Sequence, residues 1–191
     1  MSDTPFDENR RRLLLSAAAL AAIRVVPEAS LLAAPPGDPA GARPGEFDFL
    51  EGRWKIRHRR LKSPEGSDWD EFPGEATCWT VLVGSGSIEE LRIPARGFSG
   101  LGIRLIDVER RTWTDFWVNA KSGVLAPPPL TGRFRDGVGT FTAEEEDGGN
   151  RVVVRGVWDR ITDRSCRWRQ GVSKDGGRTW KENWFMDWTR A

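Results

Sequence analysis

From Glu46 onward the chain is a succession of short alternating runs broken by Gly, Asp, Asn and Pro, and no stretch sustains helical periodicity beyond two turns. Regular short strands with turn signals between them leave two all-β solutions, a sandwich or a barrel. The pattern predicts ten strands, over 53–61, 74–83, 87–93, 100–107, 112–119, 130–135, 139–145, 151–158, 165–173 and 180–190. Gly84-Ser85-Gly86, Asp136-Gly137 and Asp147-Gly148-Gly149-Asn150 each join two runs as tight turns. Hairpin neighbours in series favour a single antiparallel up-and-down β-barrel of about ten strands, whose closure removes the edges that invite aggregation.

Side chains alternate across a strand, so parity assigns the interior. In the first strand Lys55, Arg57 and Arg59 share one face, which must be solvent. Trp54, Ile56, His58 and Arg60 share the other, and His58 therefore points inward. In the second, Thr77, Trp79, Val81 and Val83 fall together. Near the C-terminus the inferred interior takes Val152, Val154, Gly156 and Trp158, then Cys166, Trp168, Gln170 and Val172. The last strand adds Trp180, Glu182, Trp184, Met186, Trp188 and Arg190. Both faces of 112–119 carry aromatic residues, so its parity stays open.

The chain has ten Trp, nine Phe and no Tyr. An aromatic interior with a few polar groups is the usual form of a small-molecule site, and a barrel of this strand number is wide enough to hold one ligand. The expected occupant is a small apolar or amphipathic molecule. The candidate binding residues are Trp54, His58, Trp79, Trp168, Gln170, Glu182, Trp184 and Trp188, with Trp54 also readable as a structural plug. A second reading is an enzyme in the same cavity, with His58 as acid/base and Glu182 or Arg60 orienting it or stabilising charge. A third is a structural or interaction protein of the cell envelope, with a filled barrel.

A formal charge of +1 without a basic stripe argues against nucleic acid as a partner. No Cys-x-x-Cys occurs and His58 is the only His, so no metal site is expected. No Gly-x-Ser-x-Gly elbow appears, and no cofactor is expected. Cys78 and Cys166 leave two readings open, a disulfide in an exported protein or a pair of buried thiols. Arg151, Arg155, Arg167 and Arg169 form a basic outer patch, readable as a solvated face or as a site for an anionic partner.

Residues 10–23 set three Arg before an apolar run of eleven residues, with Arg11 and Arg12 the pair that matches a twin-arginine export signal. The run falls short of the roughly 20 residues a membrane helix needs, so no transmembrane helix is expected. A short amphipathic helix is the alternative. The expected organisation is a signal segment at 1–26, a Pro/Ala/Gly-rich linker at 27–45 and the barrel at 46–191, with export to the bacterial periplasm.

Two motifs remain. Ser173-Lys174-Asp175-Gly176-Gly177-Arg178-Thr179-Trp180 matches the Asp-box pattern, in which Asp175 bonds its own turn and Trp180 packs beneath it. One copy is too few for a propeller, so it is read as a hairpin turn. Phe47-Asp48-Phe49-Leu50-Glu51-Gly52-Arg53-Trp54 opens the first strand. Gly52-x-Trp54 resembles the lipocalin opening, in which the Trp plugs the barrel and an Arg near the last strand packs across it. Arg190 is the matching residue here. Together with the Asp-box and the ending Trp188-Thr189-Arg190, these motifs resemble a group of uncharacterised bacterial calycin-like proteins over about residues 46–191. That resemblance implies a lipocalin-like barrel and brings almost no assigned biochemistry. The ending has Trp where the pattern has Tyr. The nitrobindin-like barrel is similar more loosely, and it binds haem through a late His that this chain lacks. A lone inward His58 is read as a hydrogen-bonded core residue.

Overall fold

The computed structural model describes residues 41–191. The signal segment at 1–26 lies outside the described residues, as does all but the end of the linker. Ten strands follow as a meander: β1 (Gly52–Leu61), β2 (Trp69–Val81), β3 (Gly86–Ile93), β4 (Phe98–Asp107), β5 (Thr112–Asn119), β6 (Leu125–Arg135), β7 (Val138–Asp147), β8 (Asn150–Asp159), β9 (Ser165–Ser173) and β10 (Lys181–Arg190). Each pairs antiparallel with its neighbours in sequence. β10 returns to β1, with Trp54 opposite Arg190 and His58 opposite Met186. The sheet is therefore a closed ten-stranded up-and-down barrel, consistent with a lipocalin-like fold.

Alternation in β1 works as its charges dictate: Trp54, Ile56 and His58 are buried and Lys55, Arg57 and Arg59 are exposed. Arg60 shares the inward parity but is exposed at the barrel's open end, with its guanidinium 4.5 Å from the Trp184 ring. In β2 the inner face is Phe72, Ala76 and Cys78, which turns Trp79 outward at 46% exposure. The strand begins at Trp69 rather than near Gly74, and its alternation runs opposite to a reading anchored on Trp79 and Val81.

Parity also breaks in β10. Lys181 and Glu182 pair with Val172 and Gly171, whereas Trp184 pairs with Gln170, so Asn183 is an extra residue in a β-bulge. The bulge leaves Trp184, Met186 and Trp188 inside and turns Glu182 outward. There its carboxylate accepts from Arg155 at 2.7 Å and from Arg169. Asp159 accepts from Arg167 at 2.8 Å and from Arg169 at 3.0 Å. Arg151 pairs with Glu144. The outer arginines thus form a ladder with carboxylates rather than an uncompensated basic patch.

The chain before β1 seals one end of the barrel. Ala42 is buried and its N–H donates to the Arg111 carbonyl at 2.9 Å, so ordered packing starts before Glu46. Phe47 meets Trp113 edge-on at 5.0 Å and Phe134 at 4.9 Å, and lies 5.6 Å from Phe141. Burying Phe47 and Leu50 stabilises the plug by roughly 1.5–3 kcal/mol each. The Trp54 indole N–H donates to the Leu50 carbonyl at 2.6 Å. Arg190 lies 4.1 Å from the Trp54 ring and donates to the carbonyls of Phe49, at 2.8 Å, and Glu51.

At the opposite end, the turn between β9 and β10 is organised by Asp175. It accepts from the N–H groups of Arg178 and Thr179 and from the Thr179 hydroxyl, and these bonds hold its carboxyl down at about 2. Trp180 donates to the Gly177 carbonyl at 3.0 Å and lies under Arg155. Cys78 and Cys166 are both buried free thiols, and burial pushes both pKa values up. Among the described residues no helix is long and apolar enough to cross a membrane.

Candidate ligand-binding cavity

Inside the barrel lies a cavity of about 310 Å³. Its floor is Trp158 and Trp188, whose ring centroids are 5.4 Å apart and which also touch Phe47 and Trp54 of the plug. One wall is Trp168 and Trp184, edge to face at 5.7 Å, with Gln170, Met186 and Val154. The other is Trp117 with Ala126, Pro127, Pro128 and Leu130. That wall has a sequence cause. Proline brings no N–H to a ladder. Pairing between β5 and β6 accordingly jumps from Asp115 opposite Leu130 to Trp117 opposite Ala126, and the proline run bulges out. Trp117 can lie across β4 because position 100 is Gly: a Cβ there would sit 2.2 Å from the indole.

A charged cluster is set into this aromatic lining. Arg104 on β4 is 96% buried and donates through Nη2 to Glu89 Oε2 on β3 at 2.5 Å. Its Nε lies 3.5 Å from Asp115 Oδ2 on β5. The guanidinium carbon also lies 5.2 Å from the Trp158 ring and 5.3 Å from the Phe47 ring, within cation–π range. Burial works against the Arg104 cation, but Asp115 and Glu89 outweigh it and raise its pKa further. Asp115 lacks so close a partner. Burial, only partly offset by Arg104 and reinforced by Glu89, pushes its carboxyl up to about 6. Glu145 on β7 also lines the cavity and is raised by burial.

Of the residues singled out from sequence, Trp168, Gln170, Trp184 and Trp188 line the cavity together. Gln170 is held by a bond from Nε2 to Asn183 Oδ1 at 3.2 Å, so the bulge orients it. Trp54 is a fully buried part of the plug, and Trp79 and Glu182 are on the outside. His58 is buried beside the cavity rather than on it. It stacks on Phe72 at 4.7 Å, accepts a bond at Nδ1 from the Trp184 indole at 3.2 Å, and leaves Nε2 without a partner. Burial, with Arg96 and Arg60 adding to it, drives its pKa down to about 4. The set His58, Glu182 and Arg60 is therefore not assembled: the bulge sends Glu182 to the outer face, and Arg60 sits at the rim. Among the described residues no group of three His, Cys, Asp or Glu could hold a metal.

Sequence reading missed Glu89, Arg104, Asp115 and Trp117. Glu89 and Arg104 look like surface charges in isolation, and their pairing appears only when β3 and β4 are placed in register, Ser87 opposite Arg104. Asp115 and Trp117 share the inner face with Trp113, the parity that aromatics on both faces of β5 had concealed.

No protein-family model and no curated protein matches the chain. Among solved structures it is similar to a protein of unknown function from the DUF3598 family of Nostoc punctiforme. The TM-score is 0.43 at 10% identity, over 84% of this chain and 53% of that one. The chain thus spans about half the length of that neighbour.

Proposed function

We propose that the protein binds a small apolar or amphipathic molecule inside the barrel. The observation that carries this is the 310 Å³ cavity faced by five Trp rings (117, 158, 168, 184 and 188) in a barrel whose other end is packed solid. Apolar walls with a few convergent polar groups favour a bound organic molecule over a passive core. Large rings supply contact area with little loss of side-chain freedom.

Two further elements belong to this reading. The Gly52-x-Trp54 opening under Arg190 supports membership of a calycin-like group, and residues 10–23 support export by the twin-arginine route into the periplasm. The acid/base alternative finds no support in the surroundings of His58.

Native mass spectrometry of the protein purified from its own host, compared with the same sample denatured, tests the proposal. The expected result is a reproducible extra mass that is lost on denaturation. A bare chain under both conditions, at high recovery, would overturn tight binding of a resident ligand.

A further inference from the structure

We infer that the ligand is an organic cation, a protonated or quaternary amine on an apolar or aromatic body, with its charge placed at Asp115 among the Trp rings. The inference rests on the binding reading above and specifies the chemistry of the same cavity.

Charge balance in the cavity favours a cation. The charged residues lining the cavity are Glu89, Asp115 and Glu145 against the single Arg104. Glu89 holds Arg104 at 2.5 Å in an ion pair whose members are 3% and 4% exposed. That pair neutralises itself. Asp115 is left at 3.5 Å from a guanidinium already engaged, and its side chain keeps 14% exposure. Asp115 has lost most of its water and shares its one close cation with Glu89, so the three groups together keep one negative charge that an incoming cation balances. An incoming carboxylate would add negative charge to a lining that already carries an excess of it. Arg104 Nε and Nη1 make no hydrogen bond, but both atoms are buried and the side chain is only 4% exposed, whereas Asp115 keeps 14%, so the carboxyl is the more open of the two to an incoming charge.

The aromatic walls favour a cation independently of the charge count. Trp rings present a negative quadrupole to whatever lies over their faces, and Trp is the strongest aromatic partner for a cation. Trp117, Trp168 and Trp184 are each only partly buried and line the same space as Asp115. The protein already uses this chemistry, since Arg60 lies over Trp184 and Arg104 near Trp158. Aromatic walls with carboxylates in excess of their single guanidinium fit an amine better than a neutral or acidic molecule of the same shape.

The test is isothermal titration calorimetry of the full chain with three probes of matched shape: 2-naphthylmethylamine, 2-naphthylmethanol and 2-naphthoate. At pH 7.5 the amine should bind about tenfold or more tighter than the alcohol, with naphthoate weakest. The preference should shrink as Asp115 protonates between pH 7.5 and 5, with Glu89, Arg104 and Glu145 as the other charges facing it. It should also shrink in Asp115→Asn. The pH series on the unaltered chain keeps the test decisive if that variant folds poorly. If the alcohol matches the amine, or naphthoate binds tightest, the charge inference falls and the cavity reading stands. If none of the three binds at millimolar concentration, both fall.

Discussion

Trp184 donates its indole N–H to His58 Nδ1 across 3.2 Å, so a wall of the cavity is hydrogen-bonded to a fully buried imidazole. The bond needs Nδ1 unprotonated, which fixes the proton of the neutral ring on Nε2. Burial, Arg96 and Arg60 all act in the same direction and hold the pKa at about 4. The folded value lies below the ordinary 6.5, so the stability tied to the neutral ring is complete above pH 6.5 and is lost as pH falls toward 4. The loss reaches about 3 kcal/mol. Urea unfolding at pH 7.5, 6 and 4.5 should show this decline in the unaltered protein relative to His58→Gln. Parallel curves for the two would place the imidazole in water.

Asp115 has the opposite sign. Its folded pKa of about 6 exceeds the ordinary 3.8, so its contribution is complete below pH 3.8 and is lost as pH rises through 6. Replacing it with Asn fixes the uncharged form. Asp115→Asn should therefore stabilise the ligand-free protein at pH 7.5 by roughly 2–3 kcal/mol and have little effect near pH 4. The two groups titrate over overlapping ranges with opposing slopes, and removing either unmasks the other. A variant destabilised equally at both pH values would mean that Arg104 depends on Asp115 more than on Glu89.

The sequence exposes the barrel because strand alternation and turn chemistry are local. Lys55, Arg57 and Arg59 can only face water, which orients β1 without any partner strand. Asp136-Gly137 can hardly be anything but a turn, and both residues have positive φ. The cavity is less legible because its polar end is made by register between strands. Neither Glu89 nor Arg104 carries a local sign of burial. Glu182 misleads for a related reason: one extra residue at Asn183 reverses every inference upstream of it in β10. A bulge has no composition of its own when the residue inserted is an ordinary one. Trp79 shows the same weakness in β2, where its apolar type points inward but the parity of Phe72, Ala76 and Cys78 turns it outward.

Arg190 joins the end of the chain to the plug through the Trp54 ring and the carbonyls of Phe49 and Glu51. Truncation in Arg190→Ala removes a cation–π contact and three charge-assisted hydrogen bonds, the third from Nε to the Asp163 carbonyl at 3.3 Å, and should lower unfolding stability by about 2–4 kcal/mol. Arg190→Lys keeps the charge but not the fork, and should recover less than half of the loss. Full recovery by Lys, read from urea midpoints at constant m-value, would assign the contact to charge alone.

Gly74 and His58 test how tightly the imidazole is held. Gly74 lies opposite Ile56 in the β1–β2 ladder, and a Cβ built on it would come 2.3 Å from His58 Nε2 and 3.2 Å from the Arg92 carbonyl oxygen. The second distance is tight but tolerable, and the first is not, because Phe72 stacked at 4.7 Å and Trp184 bonded to Nδ1 leave the ring no free direction. Gly74→Ala should cost about 1–3 kcal/mol in the unaltered background by overpacking. In His58→Ala the same methyl enters space the imidazole has vacated and should be close to neutral. The double-mutant cycle should then give a coupling of about 1 kcal/mol or more, since these residues touch. Additive effects would mean that the strand, and not the ring, resists the side chain, and that His58 has room to move away from Trp184.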